Sequence, residues 1–307
     1  KGDTSSGTDG IHMKFWKKLP GMACVLAPLF NIIVKSESVP LSWLESRLIL
    51  IPKIDEPDAT STNDYRPIAI TQTIYRIFMS IVNTKLRVMA DLSPSQKGFM
   101  PGEGCIEHSY VLQEILDDCR RGSKRLSVCW VDLRKAFDTV PHWAILLHLE
   151  RLNVPNQVIN LIKHLYTNSY AQIKDHLGQL SNLSMNGRGV KQGCPLSPLL
   201  FNLVIDPFLK LIDETDLGFN LRGNNIGALC YADDIVITSN NSKNAQTILN
   251  HLNELLILCD MQANVKKCSA LQVSYRSGRR VINNSDIHPQ LKLNNEPIPD
   301  LEDFYKY

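Results

Sequence analysis

Two neighbouring carboxylates, Asp233 and Asp234, lie between short apolar runs in the stretch CYADDIVIT at residues 230–238. The runs on either side are typical of two strands, so Ala232, Asp233 and Asp234 are predicted to form the tight connection of a hairpin. Carboxylates at a hairpin tip often serve only solubility. Here both strands are almost continuously hydrophobic, which predicts that both faces are covered and that the tip lies near packed protein. Two like charges in such a place repel each other and lose hydration, and a bound cation relieves both effects.

A third carboxylate follows another apolar strand about a hundred residues earlier in the chain. Residues 128–131 (VCWV) predict a buried strand that leads directly into Asp132. If this strand pairs with the hairpin in one sheet, Asp132 comes to lie beside Asp233 and Asp234. Mg²⁺ prefers oxygen ligands and uses one or two carboxylates together with substrate phosphates. Two such ions, about 3.5–4 Å apart, stabilise the attacking and leaving oxygens of a phosphoryl displacement, so the predicted chemistry is nucleotidyl transfer.

The composition is that of an ordinary globular protein. The 307 residues are 44% hydrophobic and 21% charged, with a net charge of +2, so disorder is excluded and no polyanion ligand is indicated by charge alone. No apolar run approaches the length of a membrane span and no signal peptide is visible, which predicts a protein that is soluble or is peripheral through partners. The eight cysteines lack the close spacing of a zinc site and are predicted to be reduced, intracellular thiols.

The elements that must position the acids alternate between strand and helix patterns. The expected strands and hairpins cover 43–53, 65–71, 125–133, 169–190 (with Gly178 near the turn) and 227–238. The expected helices cover 74–92, 107–121, 142–152, 155–166, 197–214 and 243–259, and Ser197 with Pro198 suits the start of one of them. Residues 276–301 are polar and contain proline, which predicts a surface insertion. This order predicts an α+β fold in which a small antiparallel sheet is backed by helices, as in a polymerase palm.

Several blocks of the sequence, in order along the chain, resemble the reverse transcriptase domain of non-LTR (LINE-type) retrotransposons, of the branch that carries a restriction-like endonuclease. The blocks are GTDGI (7–11), RLILIPK (47–53), DYRPIAIT (64–71), DLRKAFDTVPH (132–142), GVKQGCPLSPLLFNLVID (189–206), YADD (231–234), ANVKKC (263–268) and FYKY (304–307). A lone YADD is weakly diagnostic, but this many blocks in register are specific. The resemblance implies right-hand polymerase fingers and palm, with the helical thumb missing.

The resemblance also implies a division of the chain. It assigns 1–124 to the amino-terminal extension and fingers, 125–145 to the first catalytic strand of the palm, and 146–188 to the connection between fingers and palm. Residues 189–275 would carry the remaining palm motifs, and 276–307 the surface insertion and the start of a primer-grip hairpin that is cut short. Both ends of the chain look cut, and the fragment is expected to be poorly active alone.

The implied site residues fall into two groups. The first group binds two Mg²⁺ ions and consists of Asp132, the backbone carbonyl of Leu133, Asp233 and, assisting them, Asp234. The second group handles the nucleotide: Lys53 and Arg66 on the triphosphate, Phe137 as the gate against a ribose 2′-OH, Gln192 and Gly193 beside the base pair, and Lys267 as general acid for pyrophosphate. Among the other polar groups, Asp138 and Asp206 are interpreted as structural, and His108 and His142 as surface or capping groups.

The implied function is RNA-directed DNA polymerisation: dNTPs are added to a primer 3′-OH on an RNA template, with a nicked chromosomal DNA end as primer. The nucleus is the expected location, and oligomeric state is not indicated. Two alternatives remain open. One is a reverse transcriptase or maturase like those of group II introns, which shares the palm motifs. The other is a decayed copy that binds RNA without catalysis, against which the intact Asp132, Asp233, Asp234 and Phe137 argue.

Overall fold

The computed structural model of the chain describes residues 6–58, 61, 64–173, 179–185, 187–277, 279–281 and 289–301. Its helices are α1 Met13–Lys18, α2 Met22–Ser36, α3 Leu41–Leu44, α4 Thr73–Met89, α5 Cys105–Arg121, α6 Ala136–Thr139, α7 His142–Arg151, α8 Asn156–Thr167, α9 Ser197–Asp213 and α10 Ser242–Leu258. Its strands are β1 Glu45–Pro52, β2 Tyr65–Ile70, β3 Arg125–Val131, β4 Tyr170–Ile173, β5 Ser184–Met185, β6 Phe219–Leu221, β7 Asn224–Ile226, β8 Ala228–Tyr231, β9 Asp234–Ser239, β10 Ser269–Arg276, β11 Arg279–Val281, β12 Lys292–Leu293 and β13 Glu296–Pro297. Within these described ranges, no helix is long and apolar enough to cross a membrane.

The chain divides into two compact units. The first consists of Lys1–Asp91 and Val140–Leu200, and the second of Leu92–Thr139 and Phe201–Tyr307. Asp132, Asp233, Asp234, Phe137 and Lys267 belong to the second unit. Lys53, Arg66, Gln192 and Gly193 belong to the first.

The first unit contains a mixed four-stranded sheet in the order β2-β1-β4-β5. Strand β1 pairs antiparallel with β2 and parallel with β4, and β4 pairs antiparallel with β5. Helices α2, α3 and α4 bring four aromatic rings together, with centroids 5.0–6.5 Å apart: Phe30, Trp43, Tyr75 and Phe78. Each of the four is less than a tenth exposed, so this cluster is a core of the unit. The predicted turn residue Gly178 lies outside the described residues.

A buried lysine lies against this aromatic cluster. Lys191 is only 8% exposed, its Nζ atom is 5.6 Å from the centre of the Tyr75 ring, and no described residue accepts a hydrogen bond from it. Burial lowers the pKa of Lys191 from 10.5 to about 8. The ring face offsets part of the cost of burying a positive charge, but it replaces hydration only in part.

The second unit is built on a five-stranded antiparallel sheet in the order β11-β10-β3-β9-β8. Helix α5 covers it with Ile115 and Cys119, which join Leu126 and Val128 of β3 and Leu271 of β10 in one buried cluster. Helix α10 also packs on β3 and β9, and its buried face consists of Ile248, Leu249, Leu252 and Leu256. The predicted fold class is therefore confirmed: an antiparallel sheet backed by helices, with β3 at its centre.

The segment from residue 289 to 301 differs from the surface insertion predicted by its polar composition. Leu291, Leu293 and Ile298 are almost completely buried. The backbone of Ala270 in β10 also bonds to this segment, because its N–H donates to the Pro299 carbonyl and its carbonyl accepts from the Leu301 N–H. These three apolar residues bury one side of the segment. The average polarity of the segment does not reveal them, because polar residues lie between them.

The buried charge of Lys191 predicts a stabilising substitution. Lys191→Met should increase the free energy of unfolding at pH 7 by on the order of 2 kcal/mol, because a charged amine no longer has to be buried. The unfolded lysine titrates near 10.5 and the folded one near 8. Between these values the unfolded state binds more protons, so wild-type stability rises with pH and the advantage of methionine shrinks.

This is measured by urea unfolding at pH 7, 8, 9 and 10, with the exposed Lys163→Met in the same unit as control. A gain for Lys191→Met that is absent at pH 7, or that grows towards pH 10, would contradict the buried, charged lysine.

Candidate active site

The predicted hairpin is formed by β8 and β9. The last residue pair of the hairpin is Tyr231 with Asp234, so Ala232 and Asp233 form a two-residue connection. Ala232 has a φ of 57°, in the left-handed region, as the tight turns that join antiparallel strands require. Asp233 thus lies in the turn and Asp234 begins the outgoing strand.

Asp132 reaches the same edge from the centre of the sheet. Strand β3 pairs antiparallel with β9, with Val131 opposite Ile235 and Trp130 opposite Val236. One further step along this register brings Asp132 opposite Asp234. Burial and the nearby charge of Asp132 raise the pKa of Asp234 above its ordinary value. Asp132 and Asp234, a hundred residues apart in sequence, therefore lie close enough to repel each other.

The backbone after Asp132 is held from the β10 side of β3, opposite to β9. The Asn264 N–H donates to the Asp132 carbonyl and the Arg134 N–H donates to the Gln262 carbonyl, both at 2.8 Å. These two bonds flank Leu133, which forms an antiparallel bridge with Ala263. In such a bridge the central residue turns its own N–H and carbonyl away from its partner. The Leu133 carbonyl oxygen therefore faces the β9 side of the sheet, where the hairpin connection lies.

Lys267 follows this contact in a short 3₁₀ helix, Val265–Lys267. Its backbone N–H donates to the Asn264 carbonyl at 2.8 Å, and its side chain is exposed. The segment that carries Lys267 is thus attached to Asp132 through Asn264.

Phe137 lies in a row of aromatic rings that leads to the hairpin. Its ring stacks on that of Phe201, with centroids 4.7 Å apart and an angle of 11°, and meets the edge of Phe99 at 6.1 Å. Phe99 lies 6.4 Å from Tyr231, the last residue of β8. Phe201 is completely buried and Phe99 is 46% exposed, so the row runs from the core to the surface. Phe137, between them, is partly exposed.

In the first unit, the cations Lys53 and Arg66 lie at the same end of the β1–β2 pair. Ile51 is opposite Arg66, and the Lys53 N–H donates to the Asp64 carbonyl at 2.8 Å, which extends the pairing by one step. Both side chains are exposed. The structure therefore brings these two cations together at one hairpin end.

Gln192 and Gly193 also contact β2. The Ala69 N–H donates to the Gln192 carbonyl at 2.6 Å. Gly193 has a φ of 124°, and a Cβ atom there would lie 2.5 Å from the Ala69 carbonyl oxygen. Only glycine is compatible with this close approach. The absence of a side chain at Gly193 is thus required by packing on β2, a reason that the motif alone did not suggest.

In the part of the chain that the structure describes, no three or more His, Cys, Asp and Glu side chains are already gathered as ligands of one metal ion. The structure instead provides the repelling pair Asp132 and Asp234, Asp233 in the adjoining turn, and the Leu133 carbonyl. Mg²⁺ takes few protein carboxylates and completes its octahedron with water and phosphate oxygens, so this donor set fits such an ion.

Three of the other polar groups considered in the sequence, Asp206, His142 and His108, have structural contacts. The Asp206 carboxylate accepts a 2.7 Å hydrogen bond from the Ser93 N–H. His142 Nε2 lies 3.0 Å from the Gly189 carbonyl. His108, interpreted as a surface or capping group, is half-buried, with Nε2 within 3.2 Å of the Ser95 and Cys230 carbonyls, and burial lowers its pKa.

Comparison with known proteins identifies the family. The sequence profile of the family described as reverse transcriptase (RNA-dependent DNA polymerase) matches residues 51–282. The chain belongs to this family. It is 31% identical over 306 residues to the Retrovirus-related Pol polyprotein from type-1 retrotransposable element R2 of Nasonia vitripennis, covering 99% of this chain and 29% of that protein.

Another relative is the Pol polyprotein from type-2 element R2DM of Drosophila melanogaster, 28% identical over 268 residues, which covers 86% of this chain and 24% of the polyprotein. The chain thus spans less than a third of the length of these two relatives. Among solved structures, the telomerase of Candida tropicalis in complex with the TWJ fragment of telomeric RNA has a TM-score of 0.54 at 14% identity, covering 82% of this chain and 45% of that one. This last similarity shows a shared fold.

The repulsion at the sheet edge predicts the effect of neutralising Asp132. In metal-free buffer with EDTA at pH 7.5, Asp132→Asn should raise the melting temperature by about 1–2 °C, a small gain because solvent screens the pair. Added Mg²⁺ should stabilise the wild type more than this variant, since the cation offsets a repulsion that the variant lacks.

The control is Asp216→Asn, which removes an exposed carboxylate of the same unit. Thermal unfolding with and without Mg²⁺ compares the three proteins. If Asp132→Asn is less stable than the control in EDTA, or gains as much from Mg²⁺ as the wild type, the two carboxylates do not form a cation site.

Proposed function

We propose that this chain is the fingers-and-palm part of an RNA-directed DNA polymerase from an R2-like non-LTR retrotransposon. It adds deoxynucleotides from dNTPs to a primer 3′-OH opposite an RNA template. The observation that carries the proposal is the register of β3 with β9, which brings Asp132 opposite Asp234 beside the hairpin connection, in a chain of the reverse transcriptase family.

Asp132, Asp233 and the Leu133 carbonyl would hold two Mg²⁺ ions, with Asp234 assisting. When bound, these ions supply Lewis-acid stabilisation of the attacking and leaving oxygens in nucleotidyl transfer. The raised pKa of Asp234 supports this assignment, because clustered carboxylates that resist ionisation are typical of sites built to receive a cation. The contacts from Asn264 and Arg134 hold the backbone on which Asp132 and Leu133 lie.

The remaining residues handle the nucleotide. Lys53 and Arg66 provide two fixed cations at one hairpin end, which suits neutralisation of a triphosphate. Gln192 supports the incoming nucleotide and the template, and Gly193 permits close backbone packing beside it. Lys267 donates a proton to pyrophosphate as it leaves, a role open to an exposed amine carried on the segment attached to Asp132.

Phe137 excludes ribonucleotides by occupying the space of a 2′-OH. The buried Phe201 ring stacks behind Phe137 and the Phe99 ring lies at its edge, so the gate cannot move aside easily when a larger sugar arrives. Discrimination then comes from a steric clash with a supported ring.

The relatives suggest the wider role. Because both are R2 polyproteins more than three times as long, we propose that this chain lies inside a longer polypeptide. The resemblance of its motifs to those of non-LTR elements would add DNA-binding and restriction-like endonuclease parts to that polypeptide. Its primer would be a nicked chromosomal DNA end and its template the RNA of the element, which places the reaction in the nucleus. The chain would comprise the extension and fingers (1–124), the palm (125–145 and 189–275) and the connection 146–188.

The first prediction of this proposal concerns activity. A polypeptide that contains this chain together with a polymerase thumb should lengthen oligo(dT) on poly(rA) with dTTP and Mg²⁺. Asp233→Asn should reduce the rate by about 10³-fold or more, because the remaining carboxylates cannot hold the ions in place. Asp216→Asn is the control and should remain active. RNA binding without extension by the wild type would favour an RNA-binding protein over an enzyme.

The second prediction concerns sugar choice. Phe137→Val should raise the incorporation of rUTP relative to dTTP by at least about tenfold, because the smaller side chain leaves room for the 2′-OH. The exposed Phe15→Val serves as control. Single-nucleotide extension gives kcat/KM for each nucleotide. Sugar discrimination that is unchanged in an active Phe137→Val protein would remove the gate assignment.

A further inference from the structure

Residues 93–98 run beside β8, on the side of the hairpin that faces away from β9. The Cys230 N–H donates to the Ser95 carbonyl and the Lys97 N–H donates to the Cys230 carbonyl, both at 2.8 Å. Gln96, between them, therefore pairs with Cys230 in a parallel bridge. Because Cys230 is two residues before the turn, the side chain of Gln96 can reach the connection itself.

The side chain of Gln96 binds both backbone groups of Ala232. Its Oε1 accepts hydrogen bonds from the N–H groups of Ala232 and Gly98, each at 2.8 Å. Its Nε2 lies 3.4 Å from the Ala232 carbonyl and 3.2 Å from the Cys230 Sγ, and donates to both. Gln96 is only 3% exposed, so water does not compete for these groups.

Ala232 needs such support because of its conformation. Its φ of 57° is one that alanine adopts at a cost in conformational energy, and such a conformation persists where the surroundings determine it. Gly98 adds a second restraint: its backbone packs directly on Ala232, and a Cβ atom at Gly98 would overlap the Ala232 backbone. One segment thus both binds and encloses the residue that precedes Asp233.

The segment is itself attached to α9. The Ser93 N–H donates to the Asp206 carboxylate at 2.7 Å, and the hydroxyls of Ser93 and Ser95 donate to the two oxygens of Asp213 at 2.5 and 2.8 Å. A helix, rather than a free loop, therefore determines where Gln96 lies.

We propose that Gln96 is a positioning residue of the active site. Through Ala232 it holds the hairpin connection in the shape that directs Asp233 and Asp234 towards Asp132. This inference rests on the proposed function for its catalytic consequence, but the restraint on the connection is independent of any activity.

The test compares two buried glutamines of the same unit. Gln96→Met removes the polar contacts without shortening the side chain. Gln272→Met is the matched control, because Gln272 is 5% exposed, donates to the Pro289 carbonyl at 2.9 Å and accepts from Ser242 at 2.5 Å, all away from the hairpin connection. Both variants should lose thermal stability. If Gln96 had only a structural role, loss of stability would be its only effect.

Three further readouts separate positioning from stability. Hydrogen–deuterium exchange of the peptide covering 228–236 should become roughly fivefold to tenfold faster in Gln96→Met and stay unchanged in Gln272→Met. Mn²⁺ binding, followed by electron paramagnetic resonance, should weaken about tenfold only in Gln96→Met. In primer extension, kcat should fall while KM for dTTP changes less than about twofold.

A rescue variant sharpens the result. Gln96→Glu keeps an oxygen that accepts from the Ala232 N–H, so hydrogen exchange of the 228–236 peptide should return most of the way to the wild-type rate. The proposal would be overturned if Gln96→Met matched Gln272→Met in hydrogen exchange and in Mn²⁺ binding. It would also be overturned if the 228–236 peptide exchanged as fast in Gln96→Glu as in Gln96→Met. If the wild type neither extends primers nor binds Mn²⁺, the proposed function fails while the exchange data still decide whether Gln96 restrains the connection.

Discussion

The antiparallel pairing of β3 with β9 forces two like charges together. Strand β3 is buried along almost its whole length, and burial of its apolar side chains against α5 and α10 supplies the free energy that holds the register. That register keeps Asp132 opposite Asp234 even though the two carboxylates repel each other. Folding thus imposes an electrostatic cost at one end of the sheet, which a bound metal ion would offset.

The surroundings of the acids restrain them from several sides. The stretch that contains Asn264 holds the backbone of Asp132, and residues 93–98 hold the connection before Asp233. The row of rings from Phe201 to Tyr231 ends at the last residue of β8, next to that connection. Such support matters because the acids are partly exposed and cannot be immobilised by burial alone. Preorganisation is what makes fixed charges effective in stabilising a transition state. In the proposed site it would come from backbone contacts more than from the acids themselves.

Sequence reasoning predicted the elements that depend on local pattern. The strand leading into Asp132, the hairpin at 227–238 and the helix beginning at Ser197 each carry their own apolar period or cap, and each is present. It could not identify Gln96, whose role depends on a partner 136 residues away and leaves no local period. The one local signal is a glutamine followed two residues later by a glycine, in the loop between two helices.

Two other features could not be predicted for the same reason, because they depend on contacts between residues far apart in the sequence. The role of Gly193 beside the nucleotide stays a prediction, and its packing against Ala69 could not be predicted because it depends on a strand more than a hundred residues earlier. The buried residues of 289–301 were hidden by a polar average, because only Leu291, Leu293 and Ile298 are buried among exposed polar positions. Long-range pairing determines all of these contacts, and periodicity within a segment does not specify the partner of that segment.

A crystal structure of the chain soaked with Mn²⁺ tests the central claim most directly, because anomalous scattering locates the ion without assumptions about activity. The account predicts an anomalous peak bound jointly by carboxylate oxygens of Asp132 and Asp233, with the Leu133 carbonyl within reach. A well-ordered hairpin with no peak at this edge, or with Asp132 too far from Asp233 to share an ion, would contradict it.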